Sequence, residues 1–303
     1  MVYESRDLYI HLSDMKKMSF YVAIAALWSA VPAMSESGLV SIPVACLRSE
    51  PRSGAELTSQ AVMGTPLSME AVSEEWWKVT TPDGYEGYMT STSVVPADTG
   101  AWNSSTRYVV GDIGGTVIFD ARGKRLSPLP CGSIVEVRGG EVVLPDGRRG
   151  YISPDAVTPY DRWRSQTFDP ARFVASASEL AGAPYLWGGM SPQAMDCSGL
   201  VRICFLAQGR LTGRDAWQQA LEGEEVAPDS IRPGDLVFYD RTGSGRINHV
   251  AIYVGNGRLI HCSGYVRENA LASDAPDVLT GRIMAIRRVS GRPFTPLWDG
   301  ATR

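Results

Sequence analysis

One hairpin is written twice in this chain. The segments "VTTPDGYEGYMTSTSVV" and "VVLPDGRRGYISPDAVT" share Pro-Asp-Gly, then Gly-Tyr three residues on, then a Ser-containing turn and a valine. A tandem repeat of this kind implies two similar domains of about 60 residues, a size that can just fold alone. From about residue 38 to 160 the chain runs in short strand-like stretches punctuated by Gly, Pro and Asp, with no helical period. That pattern predicts two small β-barrels, over 35–97 and 101–160, with the Asp-Gly pairs supplying φ > 0 residues to tight hairpins. Polar, small-residue stretches around "PADTGAWNSSTR" and "TPYDRWRSQ" read as linkers.

The texture then changes, and a third domain is expected over 165–303. Asp169 caps a helix that opens at Pro170 and stops near Gly182 and Pro184. A second helix begins near Cys197, followed by four strand signals, "GDLVFYD", "HVAIYVGN", "RLIHCSG" and "RIMAIRRV". Helices first and then an antiparallel sheet make an α+β order.

Within "AMDCSGLVRICF", Asp196 is a good N-cap, and Leu200, Val201, Cys204 and Phe205 recur at helical spacing. Cys197 therefore falls in a first helical turn, among unpaired backbone N–H groups that favour a thiolate. This stretch alone does not separate a nucleophile from a buried structural cysteine.

The hairpin "INHVAIYVGNGRLIHCSG" bears on that choice. A two-residue Asn256-Gly257 loop, with paired residue numbers summing to about 513, would put His249 and His261 on opposite faces. A three-residue loop Gly255-Asn256-Gly257, with Gly257 left-handed in a bulge and sums of about 512, would put both on one face. The side chains favour the second register, because it gathers Val250, Ile252, Val254, Ile260 and Cys262 on one apolar face. Cys262 is then expected in the core. Two imidazoles on one face can serve a thiol as a base and its orienting partner.

Composition narrows the partners. A net charge of -4, with no basic block, argues against nucleic acid. Five cysteines, Cys46, Cys131, Cys197, Cys204 and Cys262, are too few and irregular for a disulfide framework, and with three histidines no metal site is expected. The stretch "MKKMSFYVAIAALWSAVPAMS" has a Lys16-Lys17 start, an apolar run too short to span a bilayer comfortably, and small residues Val31 and Ala33. Residues 1–34 are thus expected to be an untranslated upstream stretch plus a signal peptide. An exported protein of the periplasm or cell envelope, or a secreted one, is expected, with no stable membrane span after processing.

Cys197, His249 and His261, in that order, together with "YLWGG", "DCSGLV", "RPGDLVFYD" and "NHVAIYVGNGRLIH", resemble the NlpC family of papain-like cysteine peptidases of the bacterial cell wall. The two repeats resemble the bacterial SH3-like domains that precede such peptidases, the first also in "LRSEPRSGAELTSQ". The resemblance implies a multidomain chain, two SH3-like β-barrels followed by an α+β papain-like domain. It implies a γ-D-glutamyl-L-diamino acid endopeptidase acting on murein stem peptides with a free N-terminal L-Ala, without cofactor. Residue by residue, it makes Cys197 the nucleophile, His249 the base and His261 its orienting partner. By position it assigns Glu56, Tyr85, Trp187, Asp196 and Ser198 to substrate binding, with negative charge meeting the substrate ammonium.

Ala194 and Ala251 depart mildly from the family pattern, and bulky Trp217 in "GRDAWQQA" stands where a small polar residue is usual. A Trp217 side chain facing the cleft would narrow a subsite and bear on which diamino acid is accepted. Two other functions fit the same scaffold: a catalytically dead murein-binding protein, and an amidase or acyltransferase.

Overall fold

The computed structural model describes residues 36–297. The expected signal segment and upstream stretch lie outside the described residues.

The repeated hairpin occurs twice, as the sequence implies. In the first copy strands Trp76–Thr80 and Glu86–Thr90 pair around a turn in which Gly84 N–H donates to the Thr81 carbonyl. In the second, Glu141–Val143 pairs Arg149–Gly150, and Gly147 donates to Leu144. Only the glycine of each Asp-Gly pair is left-handed, with φ of 86° at Gly84 and 85° at Gly147. Each copy continues into a 3-10 turn, Ser91–Ser93 or Pro154–Ala156, and a closing strand. Seven strands make the first barrel's sheet, and five strands plus a two-stranded ribbon make the second.

Neither expected linker is a loop. Thr99–Ser104 is a helix capped by Asp98, and it buries Trp102. Tyr160–Arg164 is another, burying Tyr160 and Trp163. The aromatic residues are the physical reason. Trp102, Tyr160, Trp163 and Phe294 stack on one another in a cluster that also holds Leu39 and Val62 of the first barrel, Val109 and Ile134 of the second, and Leu206 and Leu211 beyond. The Trp163 indole N–H donates to the Leu206 carbonyl at 3.0 Å. Apolar burial of this size outweighs the local preference of small polar residues for loops.

The third region places helices Pro170–Glu179 and Cys197–Leu206 against an antiparallel sheet. Its strands run in the order Glu224–Glu225, Arg282–Arg288, Leu236–Asp240, His249–Gly255, Arg258–Ser263, Tyr265–Ala270. The first and last of these carry no apolar alternation strong enough to be read in the sequence. The sheet face toward the helices buries Leu236, Phe238, Val250, Ile252, Ile260 and Cys262 with Phe173, Val201 and Phe205. The opposite face gathers Val237, Tyr239, Ala251, Leu259 and Ile286.

The histidine hairpin combines both registers considered above. Ile252 pairs Ile260 and Tyr253 pairs Leu259, the register that puts both histidines on one face. At the tip the pairing slips by one, to Gly255 with Arg258. The loop is therefore Asn256-Gly257, with φ of 52° and 70°, and the extra residue sits at Val254 rather than at Gly257. Asn-Gly takes the two-residue turn it favours, and a bulge upstream restores the register that the buried face requires.

Candidate active site

The Cys197 helix starts where the sequence places it. Asp196 caps it, its Oδ1 accepting the Gly199 N–H at 2.7 Å, so Cys197 is the first helical residue. Two glycines let the chain pack closely around this helix tip. Gly188 has φ of 75°, and a Cβ there would lie 2.4 Å from the Leu57 carbonyl oxygen of the barrel. A Cβ on Gly199 would lie 2.1 Å from the Gly189 carbonyl oxygen. The motifs "WGG" and "CSG" are thus packing requirements before they are chemistry.

Asp196 is buried and richly bonded. Its oxygens accept from Gly188 N–H (2.9 Å), Gly199 N–H, Ser198 Oγ (3.1 Å) and both terminal nitrogens of Arg214 (3.1 and 2.6 Å). Arg214, 1% exposed, also donates to Ser198 Oγ at 2.9 Å and, from Nε, to Ser59 Oγ of the first barrel at 3.0 Å. Asp196 and Ser198 line the cleft, as expected of substrate-binding residues, but in this structure their polar atoms already serve Arg214. Sequence spacing does not single out Arg214, although "GRDAWQQA" carries it beside Asp215.

Cys197 is buried, and burial, with the Asp196 carboxylate beside it, pushes its thiol up to about 12. The backbone N–H groups of Val250 and Ser198 pull the other way. The helix-tip N–H groups favour the thiolate as the sequence implies, and burial with Asp196 outweighs them. The cap that makes the tip also brings a carboxylate to it, and the thiol is buried.

His249 and His261 share a face and touch. Their Nε2 and Nδ1 atoms are 3.0 Å apart, with the rings edge to face. His261 Nε2 lies 2.9 Å from Asn269 Oδ1. Burial pulls His249 down to about 3, helped by His261 and Arg241, and burial pulls His261 down to about 4. Burial thus works against the thiolate at Cys197 and against the imidazolium at both histidines. Val250, which follows His249, is the residue whose N–H faces the sulfur, so this strand meets the helix tip at the residue after His249.

From Cys197 a cleft of about 310 Å³ leads to the first barrel, where Glu56, Thr58 and Tyr85 line it. Trp187 lines it also, and its indole N–H donates to Glu56 Oε1 at 2.7 Å. Trp217 faces the same cleft, as does Asp215, to which the Trp217 side chain is hydrogen-bonded. Burial raises the Asp215 carboxyl, and Arg214 pulls it back in part. The structure therefore gathers Cys197, Glu56, Tyr85, Trp187, Asp196 and Ser198 around one cleft and pairs His249 with His261 next to Val250, whose backbone meets Cys197. Asp215 is an addition that spacing could not reveal. Cys262 is a core residue, its thiol donating to the Met195 carbonyl at 3.2 Å. Among the described residues no three His, Cys, Asp or Glu side chains gather as metal ligands.

The first barrel is held here firmly. Arg202, on the Cys197 helix, pairs with Asp83 at 2.5 Å, both nearly buried, and Asp83 is the acid of the repeated Pro-Asp-Gly turn. Gln60 Oε1 accepts the Met190 N–H at 2.8 Å, and Arg292 donates to the Pro82 carbonyl at 2.9 Å.

Residues 182–285 match the model of the NlpC/P60 family, and residues 47–94 match the bacterial dipeptidyl-peptidase Sh3 domain. This chain carries an NlpC/P60 domain. Among similar proteins is dipeptidyl-peptidase 6 of Lysinibacillus sphaericus, 29% identical over 248 residues that cover 75% of this chain and 88% of that protein. Another is a gamma-D-glutamyl-L-lysine dipeptidyl-peptidase of Bacillus subtilis, 37% identical over 47% of each chain, so about half of its length is spanned. An NlpC/P60 family protein from Bacillus cereus superposes with a TM-score of 0.73 at 19% identity, over 84% of this chain and 99% of that one. That likeness shows the fold: barrels followed by an NlpC/P60 domain.

Proposed function

We propose that the chain is a cysteine endopeptidase that cuts murein stem peptides between D-glutamate and the diamino acid, on substrates with a free N-terminal L-Ala. The observation that carries this reading is the cleft itself, which leads from the Cys197 sulfur to Glu56 and Tyr85 of the first barrel. A substrate entering it meets carboxylates where an ammonium would lie and a thiol where a carbonyl would lie. The names of the relatives, a dipeptidyl-peptidase and a gamma-D-glutamyl-L-lysine dipeptidyl-peptidase, support the same class of bond.

Cys197 is the nucleophile, His249 the base and His261 the residue that orients it. Attack of sulfur on the γ-carbonyl passes the thiol proton to His249 and forms an oxyanion, which the N–H groups of the helix tip stabilise. Collapse breaks the C–N bond as His249 returns the proton to the leaving amine, and a thioester remains. Water, deprotonated by the same imidazole, then releases the L-Ala-D-Glu product. Glu56, Asp215 and Tyr85 receive the substrate's amino end, with Trp187 as the wall of the pocket. Asp196 and Ser198 hold Arg214 beneath it. Trp217 occupies the cleft wall where it bears on the choice of substrate. Such a protein would act in the periplasm or envelope, in murein turnover or recycling, after removal of the segment that includes Lys16 and Lys17.

The test is product analysis by mass spectrometry on L-Ala-γ-D-Glu-diaminopimelate and on the same peptide carried by muramic acid. The free tripeptide should yield L-Ala-D-Glu and diaminopimelate, and the muramyl form should resist. Cleavage of both at equal rate, or of neither, would refute the reading.

A further inference from the structure

The hydrogen bonds behind the imidazole pair fix more than its position. Asn269 lies on the strand Tyr265–Ala270, diagonal to His261, whose direct cross-strand partner is Arg267. Asn269 Nδ2 is 2.6 Å from the Asp277 backbone carbonyl, which can only accept. The amide nitrogen must therefore face Asp277, and Oδ1 faces His261 Nε2 at 2.9 Å. A carbonyl oxygen takes a proton donor, so His261 carries its hydrogen on Nε2. Its Nδ1 is then a lone pair, and it accepts from His249 Nε2–H at 3.0 Å. His249 is left with its lone pair on Nδ1.

We propose that Asn269 is a positioning residue that sets the tautomers of both imidazoles, through His261, so that His249 presents an unprotonated Nδ1 to the Cys197 thiol. This deepens the cysteine-peptidase reading and rests on it for its consequence in turnover, but the tautomers themselves can be measured without a substrate. Burial keeps both rings neutral, so each has one proton to place and the relay decides where. The charged and titratable groups facing the pair are Arg241, in the loop after strand Leu236–Asp240, and Arg267. The Tyr239 ring lies 6.5 Å from that of His249. Both arginines disfavour the imidazolium and neither supplies an acceptor, which leaves that task to Asn269.

Three measurements on the full chain test this. Two-bond proton-nitrogen spectra of the 15N-labelled wild type should show His249 and His261 both protonated on Nε2; a hydrogen on His261 Nδ1 would overturn the proposal, and this needs no variant. Asn269→Ala should slow Cys197 alkylation by iodoacetamide, followed by peptide mass spectrometry, and lower kcat with KM unchanged, each on the order of 10- to 100-fold. Asn269→Asp, which keeps the acceptor and adds charge, should keep most of the rate at pH 8 and move the acid limb of kcat/KM to higher pH. A folded Asn269→Ala variant with wild-type alkylation rate would refute the role. If the wild type cleaves no γ-glutamyl peptide, the functional reading fails, while the spectra and alkylation still decide the tautomers.

Discussion

Lowering the pH from 7 to 5 should remove a large part of this protein's stability, and two side chains should account for most of it. The sequence has three histidines, and those in the described residues are His249 and His261. Both are buried, and their folded values are lowered to about 3 and about 4 from an ordinary 6.5. A lowered imidazole value means the unfolded chain binds protons that the folded one refuses. The stability is therefore whole above about pH 6.5 and falls as the pH drops below it, until the folded rings themselves titrate. Between pH 7 and 5 the unfolded chain gains about 2 kcal/mol for each histidine, so about 4 kcal/mol for the pair. That is a sizeable share of the roughly 5–15 kcal/mol that holds a domain folded. Asp215, raised by burial, works in the opposite direction and would offset part of the loss. The assay is urea unfolding at pH 7, 6 and 5, for the wild type and for the His249→Gln, His261→Gln double variant. The wild type should lose stability steeply and the double variant much less. Equal losses in both, or a wild type unchanged to within about 1 kcal/mol, would show that the histidines are not held neutral.

Other expectations follow from the same geometry. Cys197→Ala should abolish turnover of L-Ala-γ-D-Glu-diaminopimelate while calorimetry still detects binding; residual turnover would move the nucleophile elsewhere. Glu56→Gln should reduce the preference for a free over a blocked amino terminus on the order of tenfold, read as a ratio of kcat/KM values, and an unchanged ratio would remove Glu56 from the pocket. Arg202→Ala leaves Asp83 buried without its cation and should cost about 3–5 kcal/mol in denaturant unfolding; a cost under about 1 kcal/mol would mean that water replaces the guanidinium there.

The sequence by itself determined the local elements. The twice-written hairpin, the Asp169 and Asp196 caps and the alternation on both sides of Asn256-Gly257 are short-range patterns, set by backbone sterics and by periods of 2 and 3.6 residues. They placed Cys197 at a helix start and both histidines on one face. Tertiary structure decided the rest, because each remaining feature depends on which groups meet across long chain separations. Trp102 and Trp163 sit in stretches with the composition of linkers, and only the aromatic cluster between the barrels and the NlpC/P60 domain turns those stretches into helices. The two Pro-Asp-Gly turns are alike in sequence, yet Asp83 is buried against Arg202 while Asp146 bonds its near neighbour Arg148 at the surface. Likewise the state of the thiol follows from burial and from Asp196, and the state of the imidazoles from burial and from Asn269. Burial and hydrogen-bond partners are properties of the packed chain, and no local pattern encodes them.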